Sequence, residues 1–75
     1  MKKEVFIVFL KTIQSGDYTI KELYECFKEF CDEYTLPCSS IGIFRERIEP
    51  ILLEEGHNIE YINQIKIKTI TIFNT

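Results

Sequence analysis

The sequence predicts an α+β fold of three helices followed by a C-terminal β-hairpin, and three observations predict it. Apolar residues recur at helical spacing in three segments, helix-capping residues open the second and third of them, and the pattern changes to a period of two after His57. With 75 residues the chain forms one domain, 1–75, that buries only about 60% of the surface its unfolded form exposes, so its apolar elements must share a single core. A hydrophobic fraction of 45%, with six Phe and four Tyr, supplies that core and excludes a disordered tail.

From Lys3 to Gln14 the residues Val5, Phe6, Phe9, Leu10 and Ile13 fall at i, i+1, i+4, i+5 and i+8, ahead of the breaker Ser15-Gly16-Asp17. Val5–Phe9 is also aromatic and β-branched enough for a strand, but the spacing continues to Ile13 and favours a helix. Tyr18, between Asp17 and Thr19, is placed to add one short rung to the later hairpin.

Thr19 and Glu22 form a capping box, since each side chain can satisfy the other residue's orphan N–H at a helix start. Ile20, Leu23, Tyr24, Phe27, Cys31 and Tyr34 then mark an inward stripe. Lys21, Glu22, Glu25, Lys28, Glu29, Asp32 and Glu33 mostly mark the solvent side.

Pro37 turns Leu36 away from helix, and Ser39 or Ser40 can cap the third helix, with Ile41, Phe44 and Ile48 inward and Arg45, Glu46, Arg47 and Glu49 mostly outside. Pro50 is expected to end or kink that helix, because it lacks the N–H that would bond to the Glu46 carbonyl. Ile51–Glu55 can restart as a further turn, stopped by Gly56.

For the hairpin, a three-residue loop of Ile62, Asn63 and Gln64 sets Tyr61 against Ile65 and Ile59 against Ile67, with Glu60–Lys66 and Asn58–Lys68 on the other side. The apolar parity flips beyond Lys68, which implies either a bulge near Thr69 or coverage on both faces.

This order is that of a winged helix-turn-helix, whose third helix can enter a major groove while the wing contacts backbone or minor groove. The residues on that surface are Ser39, Ser40, Arg45 and Arg47 from the third helix and Asn63, Gln64, Lys66 and Lys68 from the wing. Arginine and lysine neutralise phosphates, and arginine and asparagine also read base edges. The competing explanations are pairing of Arg45 and Arg47 with Glu46 and Glu49, and lysines that guard an edge strand. Nine Lys and Arg against twelve Asp and Glu give a net charge of −3, so affinity for duplex or single-stranded DNA should be modest and salt-sensitive. The acid is uneven: residues 17–34 carry six acidic and two basic side chains, net −4, whereas 57–75 carry one and two, net +1.

Other chemistry is sparse. Cys26, Cys31 and Cys38 are odd in number and suit reduced thiols; Cys26 and Cys31 diverge by about 140° around a helix, so no zinc site with Cys38 and His57 is expected, and no cofactor. His57, lacking a catalytic partner at a recognisable spacing, is expected at the surface, and no enzyme is predicted. The longest apolar run, Val5–Leu10, is six residues, too short for a bilayer, and a cytoplasmic protein is expected.

The segment Glu22–Glu33, followed by Ser39-Ser40, Phe44-Arg45 and a hairpin, resembles the C-terminal winged-helix domain of primase-helicases from phages, plasmids and large DNA viruses. The likeness rests on Leu23-Tyr24, Phe27 and Phe30-Cys31 and spans residues 19–73. It departs in Phe30, where tryptophan is common, and in an added Glu49–Glu55. The family's ATPase motifs are absent, so the resemblance implies an accessory DNA-contacting or docking role in replication or regulation of a mobile element. A second expectation is a protein-interaction module: the acidic face of helix two, or Ile51-Leu52-Leu53, would dock a partner or a second copy, the acidic face also serving as a mimic of DNA charge.

Overall fold

The computed structural model describes residues 2–62 and 66–74, with side chains outside 62–68. The order is α1 (Lys3–Thr12), β1 (Gly16–Tyr18), α2 (Ile20–Glu33), α3 (Ile41–Glu54), β2 (Asn58–Ile62) and β3 (Lys66–Ile72). Three helices and a three-stranded antiparallel sheet of order β1-β3-β2 make an α+β fold, compatible with a winged helix. Val5–Phe9 is helical, and Tyr18 lies in the expected short strand, paired with Ile70.

Six aromatic rings organise the core. Phe27 of α2 stacks on Phe6 of α1 at 5.2 Å, meets Phe9 edge-on at 5.2 Å and lies 4.8 Å from Phe44 of α3. Tyr24 and Phe30 extend the cluster to Phe44 and Phe9. Ile59, Ile70 and Ile72 close it from the sheet side. Each buried phenylalanine contributes roughly 2 kcal/mol of transfer free energy, so this cluster is the main source of cohesion in so short a chain.

The capping box at the start of α2 is present in both directions: the Glu22 N–H donates to Thr19 Oγ1 at 3.1 Å, and the Thr19 N–H donates to Glu22 Oε1 at 2.9 Å. Two members of the expected stripes lie elsewhere. Tyr34 is 56% exposed and Ile41 is 43% exposed, while Phe30 is buried. Spacing defines a sector of a helix, but the approach of α1 selects which edge of that sector is covered, and here it covers Phe30.

Pro50 does not end α3, which runs from Ile41 to Glu54 as one helix. Buried Phe44 and Ile48 before the proline and Ile51 and Leu52 after it hold both halves against the core, so packing overrides the lost hydrogen bond. Gly56 then closes the helix at φ 83°, with its N–H donating to the Leu53 carbonyl and the His57 N–H donating to that of Leu52.

The hairpin pairs Tyr61 with Ile67 and Ile62 with Lys66, two residues further on than the expected register. The proposed loop of Ile62, Asn63 and Gln64 is thus displaced: Ile62 belongs to β2, and Asn63 and Gln64 lie outside the described residues. A slip of two preserves which face each side chain takes, so alternation could not detect it. The bulge is present, with Glu60 opposite Thr69 and Tyr61 opposite Ile67, leaving Lys68 as the extra residue. It brings Ile70 opposite Ile59 and turns Ile70 and Ile72 into the core.

Asn74 ties the end of the chain to α1. Its Nδ2 donates to the carbonyls of Leu10 and Ile13, both at 2.7 Å, and its backbone N–H donates to Ser15 Oγ at 2.7 Å. These bonds satisfy carbonyls that the end of α1 would otherwise leave open.

Candidate nucleic-acid interface

The link from α2 to α3 sets where the third helix starts. Thr35 takes a left-handed conformation, φ 55°, and Leu36 folds back so that its N–H donates to the Cys31 carbonyl at 2.8 Å. Tyr24 Oη then donates to the Ser39 carbonyl at 2.7 Å while its ring packs on Phe44. Ser40 caps α3, its Oγ accepting from the Ile43 N–H at 3.5 Å.

The two serines therefore serve different ends. Ser40 remains exposed at the start of α3, but the Ser39 hydroxyl is buried and has no hydrogen-bond partner among the described residues, so it presents no donor to a surface ligand in this conformation.

Arg45 and Arg47 are both exposed, and among the described residues neither forms an ion pair; the only two are Lys3–Glu54 and Lys28–Glu25. Glu49, one of the two partners expected on α3 beside Glu46, instead accepts from Tyr61 Oη at 3.0 Å. This bond joins α3 to β2 near the turn of the hairpin, and burial together with the carboxylate pushes the Tyr61 phenol above its ordinary pKa.

The arginines do not converge. Two positions apart on a helix, they leave α3 about 160° apart. Arg45, one turn before Glu49, lies on the flank toward the hairpin. Arg47 lies on the flank toward α1, where it lines a shallow recess with Lys3, Glu46, Pro50 and Glu54. The side chains of Asn63, Gln64, Lys66 and Lys68 lie outside the described residues.

His57 is a correction to the expected surface position. It is 8% exposed, and its Nδ1 accepts the Phe73 N–H at 3.1 Å, which ties the start of β2 to the end of β3. Burial lowers its pKa below the ordinary value and favours the neutral ring that this bond requires. The α2–α3 cysteines also differ in setting: Cys31 is buried and Cys38 exposed, and burial followed by the neighbouring Cys38 raises the Cys31 pKa to about 11. A thiol so protonated is a poor nucleophile.

Ile51 and Leu52 belong to the core, which removes most of the apolar Ile51-Leu52-Leu53 segment from any docking role; only Leu53 is exposed. On α2 the outer carboxylates are exposed, with Glu22 engaged in the cap and Glu25 paired to Lys28 at 3.5 Å. Tyr24 and Tyr61 are the positioning residues that sequence reasoning missed. Both reach polar partners twelve or more residues away, a relation that neither period encodes. No helix among the described residues is long and apolar enough to cross a membrane. Comparison with protein-family models, curated proteins and solved structures gives no match to this chain.

Proposed function

We propose that this chain is a small winged-helix DNA-binding module that contacts DNA along the edge shared by α3 and the hairpin. The observation that carries the reading is Arg45: exposed, without an ion pair among the described residues, and on the flank of α3 that the Glu49–Tyr61 bond joins to β2. A cation so placed can neutralise a phosphate while the exposed start of α3 lies against the groove. Arg47, on the other flank, reaches at most a neighbouring stretch of backbone.

The net charge of −3 and the carboxylates of α2 keep the affinity modest and the binding steeply salt-dependent. By its resemblance to primase-helicase C-terminal domains, the module belongs in the cytoplasm, in replication or regulation of a phage or other mobile element.

Titration of labelled duplex and single-stranded DNA at low salt tests the reading. Saturable binding is expected, and Arg45→Glu should weaken it while lowering the salt slope by about one. Absence of saturable binding to both forms rejects it.

A second reading, an acidic module that docks a protein or mimics DNA charge, is favoured by Glu29, Asp32 and Glu33, which are exposed and without ion pairs among the described residues. Reversing these three to lysine would abolish function under this reading and leave DNA binding intact or stronger under the first.

A further inference from the structure

We propose that the outer side of α1 is a contact between two copies of this chain, packed antiparallel across a two-fold axis near Val8. The inference is independent of the DNA reading. Phe6, Phe9 and Leu10 use the inner side of α1, which leaves Glu4, Val8 and Lys11 on the opposite side at i, i+4 and i+7. Val8 is 51% exposed, although a β-branched side chain gives a solvent-facing helix position no advantage in propensity.

Val8 is not isolated. With Glu4, Val5, Phe30, Tyr34 and Leu36 it lines a groove between α1 and the end of α2, and Tyr34 at its edge is 56% exposed. An apolar stripe flanked by charge is the form of an association surface.

Charge complementarity selects the occupant. Glu4 opens α1 and Lys11 closes it, and among the described residues neither forms an ion pair. In an antiparallel pair, Glu4 of each copy meets Lys11 of the other, twice over, while Val8 lies at the centre against the apolar residues of the second helix. A parallel pair would set Glu4 against Glu4 and Lys11 against Lys11, which repel. One surface thus satisfies itself under a two-fold rotation, the condition for an isologous dimer.

The contact is small, since α1 has ten residues and spans about 15 Å, so association is weak and visible only at high concentration. Sedimentation equilibrium of the whole chain from ~10 μM to ~1 mM, at low salt, is the test. The weight-average mass should climb from 8.9 kDa toward twice that value. Val8→Glu should hold the chain at the monomer mass, with far-UV circular dichroism unchanged. Glu4→Lys and Lys11→Glu alone should each weaken the dimer about tenfold, and the two together should restore it.

A wild-type chain that stays monomeric at the highest concentration overturns the proposal and leaves the groove to another partner. A dimer indifferent to the single reversals, or one that the double reversal does not recover, overturns the antiparallel α1 geometry.

Discussion

Helices α2 and α3 have equal length, fourteen residues each, and close with the same pair of hydrogen bonds, yet they are stabilised in opposite ways. In α2 the residue after the cap donates to the Asp32 carbonyl at 3.3 Å and the next donates to Cys31 at 2.8 Å. In α3 the equivalent bonds reach Leu53 at 3.3 Å and Leu52 at 2.9 Å. The left-handed residue is Thr35 in the first and Gly56 in the second. Thus α2 has a reciprocal cap, a proline-free body and a strained end, whereas α3 has a longer cap bond, an interior glycine and proline, and a relaxed end. The helix that anchors the core is locally robust, and the one that presents Arg45 depends on packing.

The largest test of that contrast removes the packing. Phe27→Ala, at the hub of the aromatic cluster, should cost about 4 kcal/mol, close to the entire stability of a domain this size, so a large fraction of molecules should unfold without denaturant. Retention of a cooperative urea transition near the wild-type midpoint would mean that the rings do not hold α3 in place.

Next in size, Pro50→Ala restores the missing N–H in the middle of α3 and should raise stability by about 1–3 kcal/mol, measured as a higher urea midpoint at constant slope. No gain would show that the helix has already adapted its backbone around the ring. If α3 is the weaker helix, its amides should also exchange more slowly in this variant.

The helix ends give a matched pair with opposite signs. A Cβ at Gly56 would meet no atom within 4 Å, so Gly56→Ala should cost about 1 kcal/mol through its positive φ alone. Thr35→Gly should gain about 0.5–1 kcal/mol, because it relieves a β-branched residue of the same conformation. Equal signs in chemical denaturation would remove the distinction between the two ends.

The smallest effect concerns the residue that follows Gly56. Burial lowers the pKa of His57 in the folded chain, so the unfolded chain binds its proton first as pH falls. Its contribution is therefore complete above about pH 6.5 and declines as pH drops from there through the folded value. His57→Gln should flatten the stability profile between pH ~7 and ~5 relative to wild type, and an unchanged slope would exclude His57 as its source.

Much of this fold was legible because it is written in short-range chemistry. Thr19 and Glu22 announce the start of α2, Ser39 or Ser40 the start of α3 and Gly56 the stop after Ile51–Glu55, since a cap satisfies backbone groups within a few residues of itself. The parity flip after Lys68 was legible too, but it left open a bulge near Thr69 or coverage on both faces; the pairing of Glu60 with Thr69 and of Tyr61 with Ile67 selects the bulge, whose extra residue inverts every later side chain in the strand. Thr35 gave no such signal, because threonine is an unusual choice for a left-handed site.

The candidate site was less legible. Arg45 and Arg47 read as one basic surface in sequence, but helical rotation separates them, and the Ser39 hydroxyl turns inward. His57 looked solvent-facing because no nearby residue suits it; its partner is the N–H of Phe73, sixteen residues on.

By itself the sequence determined the number, type and order of the elements and most of their ends, because periodicity and capping act over one or two turns of chain. Only the tertiary structure decided that Phe30 rather than Tyr34 enters the core, that α3 continues through Pro50, which hairpin register pairs, and that Arg45 shares an edge with the hairpin while Arg47 does not. Those outcomes turn on contacts between elements far apart in the chain, where packing free energy outweighs local preference.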